Sequence, residues 1–224
     1  MFKKLFIWFN LFLLGLCTGC APLGYYEKNL FEYQPKPVFS NNKRIDKVAG
    51  LNLFLDKRLE GVKDTQGFFG LSAGNKHTRK TVGETITILL LEDFKKSNLF
   101  KEIHYPPQAG DEIIISGSID TFLNDSKLTF FSKAQSGGNI LGFLFPPLGV
   151  AIFFGAPALQ ESCTIDISLE VKDSKSGMLL ANFKESAKVA KGVSVYRWGA
   201  GQAVTDSFRE VAGKLKEDLI RIKF

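Results

Sequence analysis

Residues 163–172 alternate strictly between apolar and polar side chains, and no other feature of the sequence restricts the fold as much. This alternation predicts a strand of an antiparallel sheet, with one face on the core and the other in solvent. The turn-forming residues 173–177 (Asp-Ser-Lys-Ser-Gly) follow directly, and residues 179–189 return as the partner strand. The chain therefore contains a hairpin that must be covered on one face. Its apolar positions are Cys163, Ile165, Ile167, Leu169 and Val171.

Two segments have the apolar period of an amphipathic helix. Residues 81–97 open with Thr81 and Glu84 at the spacing of a capping box, in which each side chain satisfies a free backbone N–H. The second helix is predicted at the C-terminal end of the chain. Each helix would bury one stripe, so the pair could cover the open face of the hairpin. The stripes are Val82, Ile86, Leu89, Leu90 and Phe94 in the first helix, and Val204, Phe208, Val211, Leu215, Leu219 and Ile222 in the second.

Three more strands complete the pattern. Leu51, Leu53 and Leu55 alternate with their neighbours and predict a first strand, and further strands are predicted at 100–105 and 112–123. The order is β-α-β-β, an insertion, then β-β-α. We therefore predict an α+β fold, a two-layer sandwich with an antiparallel or mixed sheet of about 4–6 strands and two amphipathic helices on one face. Residues 46–224 would form this single domain.

The N-terminal segment has the layout of a secretory signal. Lys3 and Lys4 precede a short apolar run, and small residues follow it. The run is shorter than the roughly 20 apolar residues that a spanning helix needs. Its end, Thr18-Gly19-Cys20, resembles the lipobox of bacterial lipoproteins, although Cys17 stands where leucine is usual. That resemblance implies cleavage before Cys20 and attachment of diacylglycerol, which carries fatty acyl chains such as palmitate, to that cysteine. The alternatives are an uncleaved membrane anchor and an ordinary secretory signal.

The predicted organisation after cleavage has three parts. Residues 1–19 are the signal peptide, residues 20–45 are the lipidated N-terminus and a tether, and residues 46–224 are the domain. Several prolines favour an extended tether, although Tyr33 and neighbouring aromatic residues could pack along the domain. Loss of Lys3 and Lys4 lowers the formal charge from +6 to +4, which does not call for a nucleic-acid partner.

Candidate catalytic residues are few. Ser72 lies in Gly70-Leu71-Ser72-Ala73-Gly74, which matches a hydrolase nucleophile elbow, but the predicted helix starts too late and His104 lies too early in the chain. His77 and His104 have no Cys or His neighbours at metal-ligand spacing. Cys163 would have no disulfide partner and is expected to be a small buried side chain. We predict no enzyme activity, no metal and no cofactor.

Residues 139–160 form an uncharged, strongly apolar insertion between two predicted strands. Pro146-Pro147 near its centre argues against a single spanning helix, because proline removes a helix hydrogen bond. Either the segment folds back as core, or it contacts a membrane or a partner, as large exposed apolar patches do. The residues predicted to make that contact are Phe143, Leu144, Phe145, Ile152, Phe153 and Phe154.

With the lipobox at Cys20, the strand at 51–55, the helix at 81–97 and the hairpin at 173–177, the chain resembles a loose group of envelope lipoproteins. The group includes LptE, the auxiliary lipoproteins of ABC-type lipid transporters and YajG-like lipoproteins, with a domain similar to CsgG and the N-terminal domain of TolB. The resemblance implies a non-catalytic accessory of envelope assembly or transport, acting through a protein partner. Ala21 resembles the signal for sorting to the outer membrane, and so implies its periplasmic face. A lipid- or envelope-component-binding module is the alternative.

Overall fold

The computed structural model describes residues 33, 44–59, 70–72, 81–128, 159–193 and 202–222. Within them lie seven strands and two helices. The strands are β1 (Ile45–Leu51), β2 (Leu55–Asp56), β3 (Gly70–Ser72), β4 (Phe100–His104), β5 (Ile113–Leu128), β6 (Leu159–Asp173) and β7 (Leu179–Val193). The helices are α1 (Val82–Lys96) and α2 (Gln202–Arg221).

The strands form one mixed sheet in the order β4-β1-β5-β6-β7. β1 runs parallel to β4 and β5, whereas β5, β6 and β7 are mutually antiparallel. β1 pairs with the beginning of β5, and the short strands β2 and β3 pair with later residues along the same edge of β5. β5 is therefore the central strand, since it is the one to which both halves of the sheet are bonded.

Both helices cover one face of this sheet. Between Cys163 and Val171 of β6 the apolar side chains are fully buried and the intervening polar ones are half-exposed. The stripes of α1 and α2 belong to the same core. Ser207 of α2 donates a hydrogen bond to the carbonyl of Cys163 at 2.9 Å, which fixes α2 on β6. The α+β two-layer sandwich with a mixed sheet is confirmed. Its largest fully buried side chains include Phe54, Phe94, Phe122 and Phe208.

The start of α1 has the predicted capping box. The Thr81 hydroxyl accepts from the Glu84 backbone N–H at 3.2 Å, and the Glu84 carboxylate accepts from the Thr81 N–H at 2.7 Å. This reciprocal pair satisfies two of the backbone donors that a helix N-terminus leaves free. The local sequence thus determines where the helix begins.

The predicted first strand at 51–55 was wrong in position and in phase. β1 ends at Leu51, and Leu53 and Leu55 are 46% and 62% exposed, whereas Phe54 is buried. After Leu51 the backbone leaves the strand, and the Phe54 N–H donates to the Thr87 hydroxyl of α1. The Phe54 ring then fills the space beside Gly117, where a Cβ would lie 2.0 Å from the ring. The interruption reverses which side chains face the core.

Candidate functional site

The residues predicted to anchor the chain or contact a membrane lie outside the described residues. They are Cys20, Phe143, Leu144, Phe145, Ile152, Phe153 and Phe154. The structure does show where the apolar segment leaves the fold. Leu128 at the end of β5 is paired with Leu159 at the start of β6, which in turn is paired with Val193 of β7. Residues 129–158 therefore connect two adjacent strand ends at one end of the sheet.

The base of this connection is held by one buried and one partly exposed polar contact. Asn124 and Glu161 are both buried, and the Asn124 amide donates to the Glu161 carboxylate at 2.9 Å. Lys191 Nζ lies 3.1 Å from Asp206 Oδ2, which ties the end of β7 to the N-terminal part of α2. A buried polar group must be hydrogen-bonded to be tolerated, so these contacts favour one arrangement of the strand ends. The strand ends at this end of the sheet are therefore fixed relative to one another and to α2.

The outer face of β5, β6 and β7 is polar, and Asp120 lies at its centre. Asp120 is the extra residue of a β-bulge, because Ile119 pairs with Ile167 while Thr121 pairs with Asp166. Ser168 donates to Asp120 Oδ2 at 2.7 Å, and Lys184 Nζ lies 3.2 Å from the same oxygen. Burial alone would raise the pKa of Asp120, but these donors outweigh it and hold that pKa below its usual value. This network binds three strands together on the solvent side.

A second polar network lies on the inner side, between the two helices. Lys216 Nζ of α2 lies 2.7 Å from Asp93 Oδ2 of α1, and both side chains are buried. The Tyr33 hydroxyl donates to Asp93 Oδ1 at 2.9 Å. Burial, followed by the negative charge and hydrogen bond of Asp93, raises the pKa of Tyr33. Tyr33 of the N-terminal arm is thereby joined to both helices, and it packs on the domain as the sequence allowed.

The third cluster surrounds His104, at the end of β4. His104 Nδ1 lies 2.6 Å from Asp111 Oδ1, and Nε2 lies 3.0 Å from Glu102 Oε1. The hydrogen bond to Asp111, then that to Glu102, raises the pKa of His104. Asp111 also accepts from the Gln108 N–H at 2.6 Å, and a Cβ at Gly50 would meet it at 2.3 Å. The cluster fastens the β4–β5 connection against β1.

The other residues considered for chemistry are placed as follows. Cys163 is buried, as expected, and burial raises the pKa of its thiol to about 12, which disfavours the reactive thiolate. Ser72 pairs with Leu123 as the last residue of β3, and α1 begins only at Val82. His77 lies outside the described residues. Among the described residues, no three His, Cys, Asp or Glu side chains are grouped as metal ligands.

No helix within the described parts of the chain has the length and apolar character needed to cross a bilayer. The apolar run at the N-terminus and residues 139–158 are not among those residues.

The chain matches no protein-family model and no curated protein. It has low-level structural similarity to several solved proteins. A Helicobacter pylori protein assigned as a homologue of a neuraminyllactose-binding hemagglutinin is 8% identical, with a TM-score of 0.42 over 85% of this chain and 90% of that one. A Xanthomonas campestris protein of the DUF330 family is 10% identical, with a TM-score of 0.41 over 83% and 90%. A Caulobacter crescentus protein assigned as a lipoprotein is 11% identical, with a TM-score of 0.35 over 74% and 87%. At these TM-scores the similarities carry no argument about function.

Sequence reasoning missed the network of Tyr33, Asp93 and Lys216, although a signal for it was present. Asp93 lies directly beside Phe94 and three residues after Leu90, on the apolar stripe of α1. Lys216 likewise stands next to Leu215 on the buried side of α2. Opposite charges on the two stripes that share a core indicate a buried ion pair.

Proposed function

We propose that the protein is a non-catalytic lipoprotein of the bacterial envelope, anchored through Cys20, that supports assembly or transport in complex with a protein partner. The observation that carries this proposal is the short signal ending in Thr18-Gly19-Cys20, ahead of a domain whose first strand begins at Ile45. The proposed location is the periplasmic face of the outer membrane, on the basis of Ala21. The role is the one implied by the resemblance to LptE, YajG-like and transporter-associated lipoproteins.

The anchoring chemistry gives this proposal its energetic basis. Each buried CH₂ group contributes about 0.8 kcal/mol to membrane binding, and a single acyl chain binds only reversibly. Several chains on one cysteine hold a protein on a bilayer for long periods. A folded domain attached in this way can meet partners in the plane of the membrane without spanning it.

The position of the apolar segment supports a second contact with the envelope. The inner face of the sheet is covered by α1 and α2, and the outer face of β5–β7 carries polar side chains. Residues 139–158 belong to the connection between the paired strand ends at Leu128 and Leu159, and we propose that they contact a lipid surface or a partner protein.

Metabolic labelling with palmitate tests the anchor. The native protein is expected to incorporate label and to fractionate with membranes, and Cys20→Ala should abolish both. Cys17→Ala and Cys163→Ser are matched controls, because Cys17 would be removed with the signal and Cys163 is buried. Both controls should label normally. Unlabelled native protein with an unmodified first residue by mass spectrometry would overturn the proposal.

The alternative function is a lipid- or envelope-component-binding module that uses residues 139–160. The observation in its favour is the uncharged run of that segment at the sheet end. Two measurements on detergent-extracted protein separate the functions. A specific protein crosslinked to the native form favours the partner role, and its loss from a Phe143→Ser/Phe153→Ser variant would assign the contact to the apolar segment. Lipid that copurifies with the native form but not with that variant favours the binding module.

A further inference from the structure

The arm between the proposed lipid anchor and the domain is fastened to the domain at Tyr33. The Tyr33 ring meets that of Phe208 edge-on, with the ring centroids 4.9 Å apart, and Arg209 Cζ lies 5.9 Å from the Tyr33 centroid. On its other side the hydroxyl donates to Asp93 at 2.9 Å. The side chain is buried, so leaving this position would expose the ring and remove a donor from a buried carboxylate.

This attachment lies on one side of the molecule. Asp93 belongs to α1, and Phe208 and Arg209 belong to α2, so the arm meets the helical layer. The polar outer face of β5–β7 is on the opposite side of the sheet from both helices. A tether that starts from Tyr33 therefore starts from the helical side.

The covalent length of the chain limits how far the domain can stand from the anchor. Cys20 precedes Tyr33 by 13 residues, which span at most about 45 Å when fully extended. If Tyr33 were free, the next residue with described contacts would be Arg44, which donates to the carbonyls of Phe100 and Lys101. Arg44 follows Cys20 by 24 residues, a span of at most about 85 Å. The Tyr33 contact roughly halves the reach of the tether.

We propose that Tyr33 is a positioning residue that orients the domain on the membrane, with the helices toward the lipid surface and the polar outer face of β5–β7 directed away from it. The inference rests on the proposed lipidation of Cys20. With the short tether, turning the outer face toward the bilayer would require the chain between Cys20 and Tyr33 to pass around an edge of the sheet. The exterior of α2 carries both signs of charge, including Glu210, Lys214, Glu217 and Arg221, so the tether rather than headgroup attraction sets the orientation.

Fluorescence quenching on vesicles tests the orientation. Lipidated full-length protein is bound to vesicles of phosphatidylethanolamine and phosphatidylglycerol that contain a lipid with a nitroxide quencher on its headgroup. One dye is attached through Glu217→Cys on the exterior of α2, and a second through Lys188→Cys, exposed on the outer face of β7. Cys163 is buried and does not compete for the dye. Quenching is expected to be at least twofold greater at position 217 than at position 188, and equal quenching overturns the proposal.

Two insertions separate the role of Tyr33 from any effect on folding. An 11-residue Gly-Ser segment after Lys28 lengthens the chain between the anchor and Tyr33, whereas the same segment after Asn41 lies beyond Tyr33. The first should bring the two quenching values close together, as should Tyr33→Ala, and the second should leave the twofold difference intact. Equal effects of the two insertions overturn the positioning role. Failure of lipidation is recognised separately, because the protein would then not float with the vesicles.

Discussion

Asp93 with Lys216 and Asp120 with Lys184 are the same ion pair in two surroundings. Each aspartate also accepts a hydrogen bond from a hydroxyl, that of Tyr33 in the first case and Ser168 in the second. The inner pair is 2.7 Å apart with side chains 0% and 8% exposed. The outer pair is 3.2 Å apart with side chains 24% and 66% exposed.

The surroundings decide what each pair does. Removing one member of the inner pair leaves a charge in a place that water does not reach, which is costly. The outer pair is screened by solvent, and its members can be hydrated if they separate. The inner pair joins the arm, α1 and α2, which lie far apart in sequence, so its loss should loosen the whole helical layer. The outer pair reinforces three strands that are already bonded to one another.

The largest effect is expected from Lys216→Ala. Asp93 would keep the Tyr33 hydroxyl but lose the cation that compensates its buried charge. We expect the free energy of unfolding to fall by about 3–5 kcal/mol. Urea unfolding of the non-lipidated mature protein, followed by circular dichroism, measures this change.

The control for this result removes the charges together. In Tyr33→Phe/Asp93→Leu/Lys216→Met, both charges and the Tyr33 hydroxyl are removed, and apolar side chains of similar size fill the space. The triple variant should recover most of the loss, because replacing a buried ion pair by apolar residues is often neutral or stabilising. If it were as unstable as Lys216→Ala, packing rather than charge would explain the defect.

Tyr33→Phe should have the next largest effect. The ring and its contact with Phe208 remain, and only the hydrogen bond to Asp93 is lost. A hydrogen bond to a charged group contributes about 1.5–3 kcal/mol, so the free energy of unfolding should fall by about that amount. Tyr105→Phe is the matched control, since Tyr105 is partly exposed, and it should change stability by less than about 0.5 kcal/mol. Equal effects of the two substitutions would contradict a stabilising role for the Tyr33 hydroxyl.

The sequence was sufficient to predict the parts of the fold that follow local rules. The alternation at 163–172 predicted β6, and the Thr81–Glu84 spacing predicted the start of α1. The first strand was misplaced because its outcome depends on distant residues. Phe54 turns inward where Gly117 leaves room for its ring and Thr87 offers its N–H an acceptor, and neither residue is near it in sequence.

The site could be predicted less completely for the same reason. The apolar segment and Cys20 were found by composition and spacing, and both predictions stand untested, because these residues lie outside the described parts of the chain. The networks around Asp93 and Asp120 were missed. Asp93 and Lys216 could have been identified as charges on apolar stripes, but the bulge at Asp120 depends on the register between β5 and β6, which no local pattern reveals.

A smaller effect is expected from Lys184→Ala on the outer face. The lysine is mostly exposed and Asp120 retains its bonds from Ser168 and Ser118. We expect the free energy of unfolding to fall by no more than about 1 kcal/mol. The difference from the native protein should shrink further in 1 M NaCl, because salt screens exposed charges. A loss as large as that of Lys216→Ala would refute the contrast between the two pairs.

The smallest effect concerns the pH dependence of stability. The pKa of Asp120 is lower in the folded protein than in the unfolded chain, where it is about 3.9. Its contribution to stability is therefore present above the pKa of the unfolded chain, and it is lost as the pH falls through the pKa of the folded protein. When the pH falls from 5 to 2.5, the Asp120→Asn variant should therefore lose less stability than the native protein. The difference between the two losses should stay below about 1 kcal/mol, the value typical of exposed pairs. Ser168→Ala removes the hydroxyl nearest to this carboxylate and should give an intermediate slope. Parallel stability curves for all three proteins would show that the outer pair adds nothing to the fold. Of the two Asp–Lys pairs, only Asp93 with Lys216 would then contribute to stability.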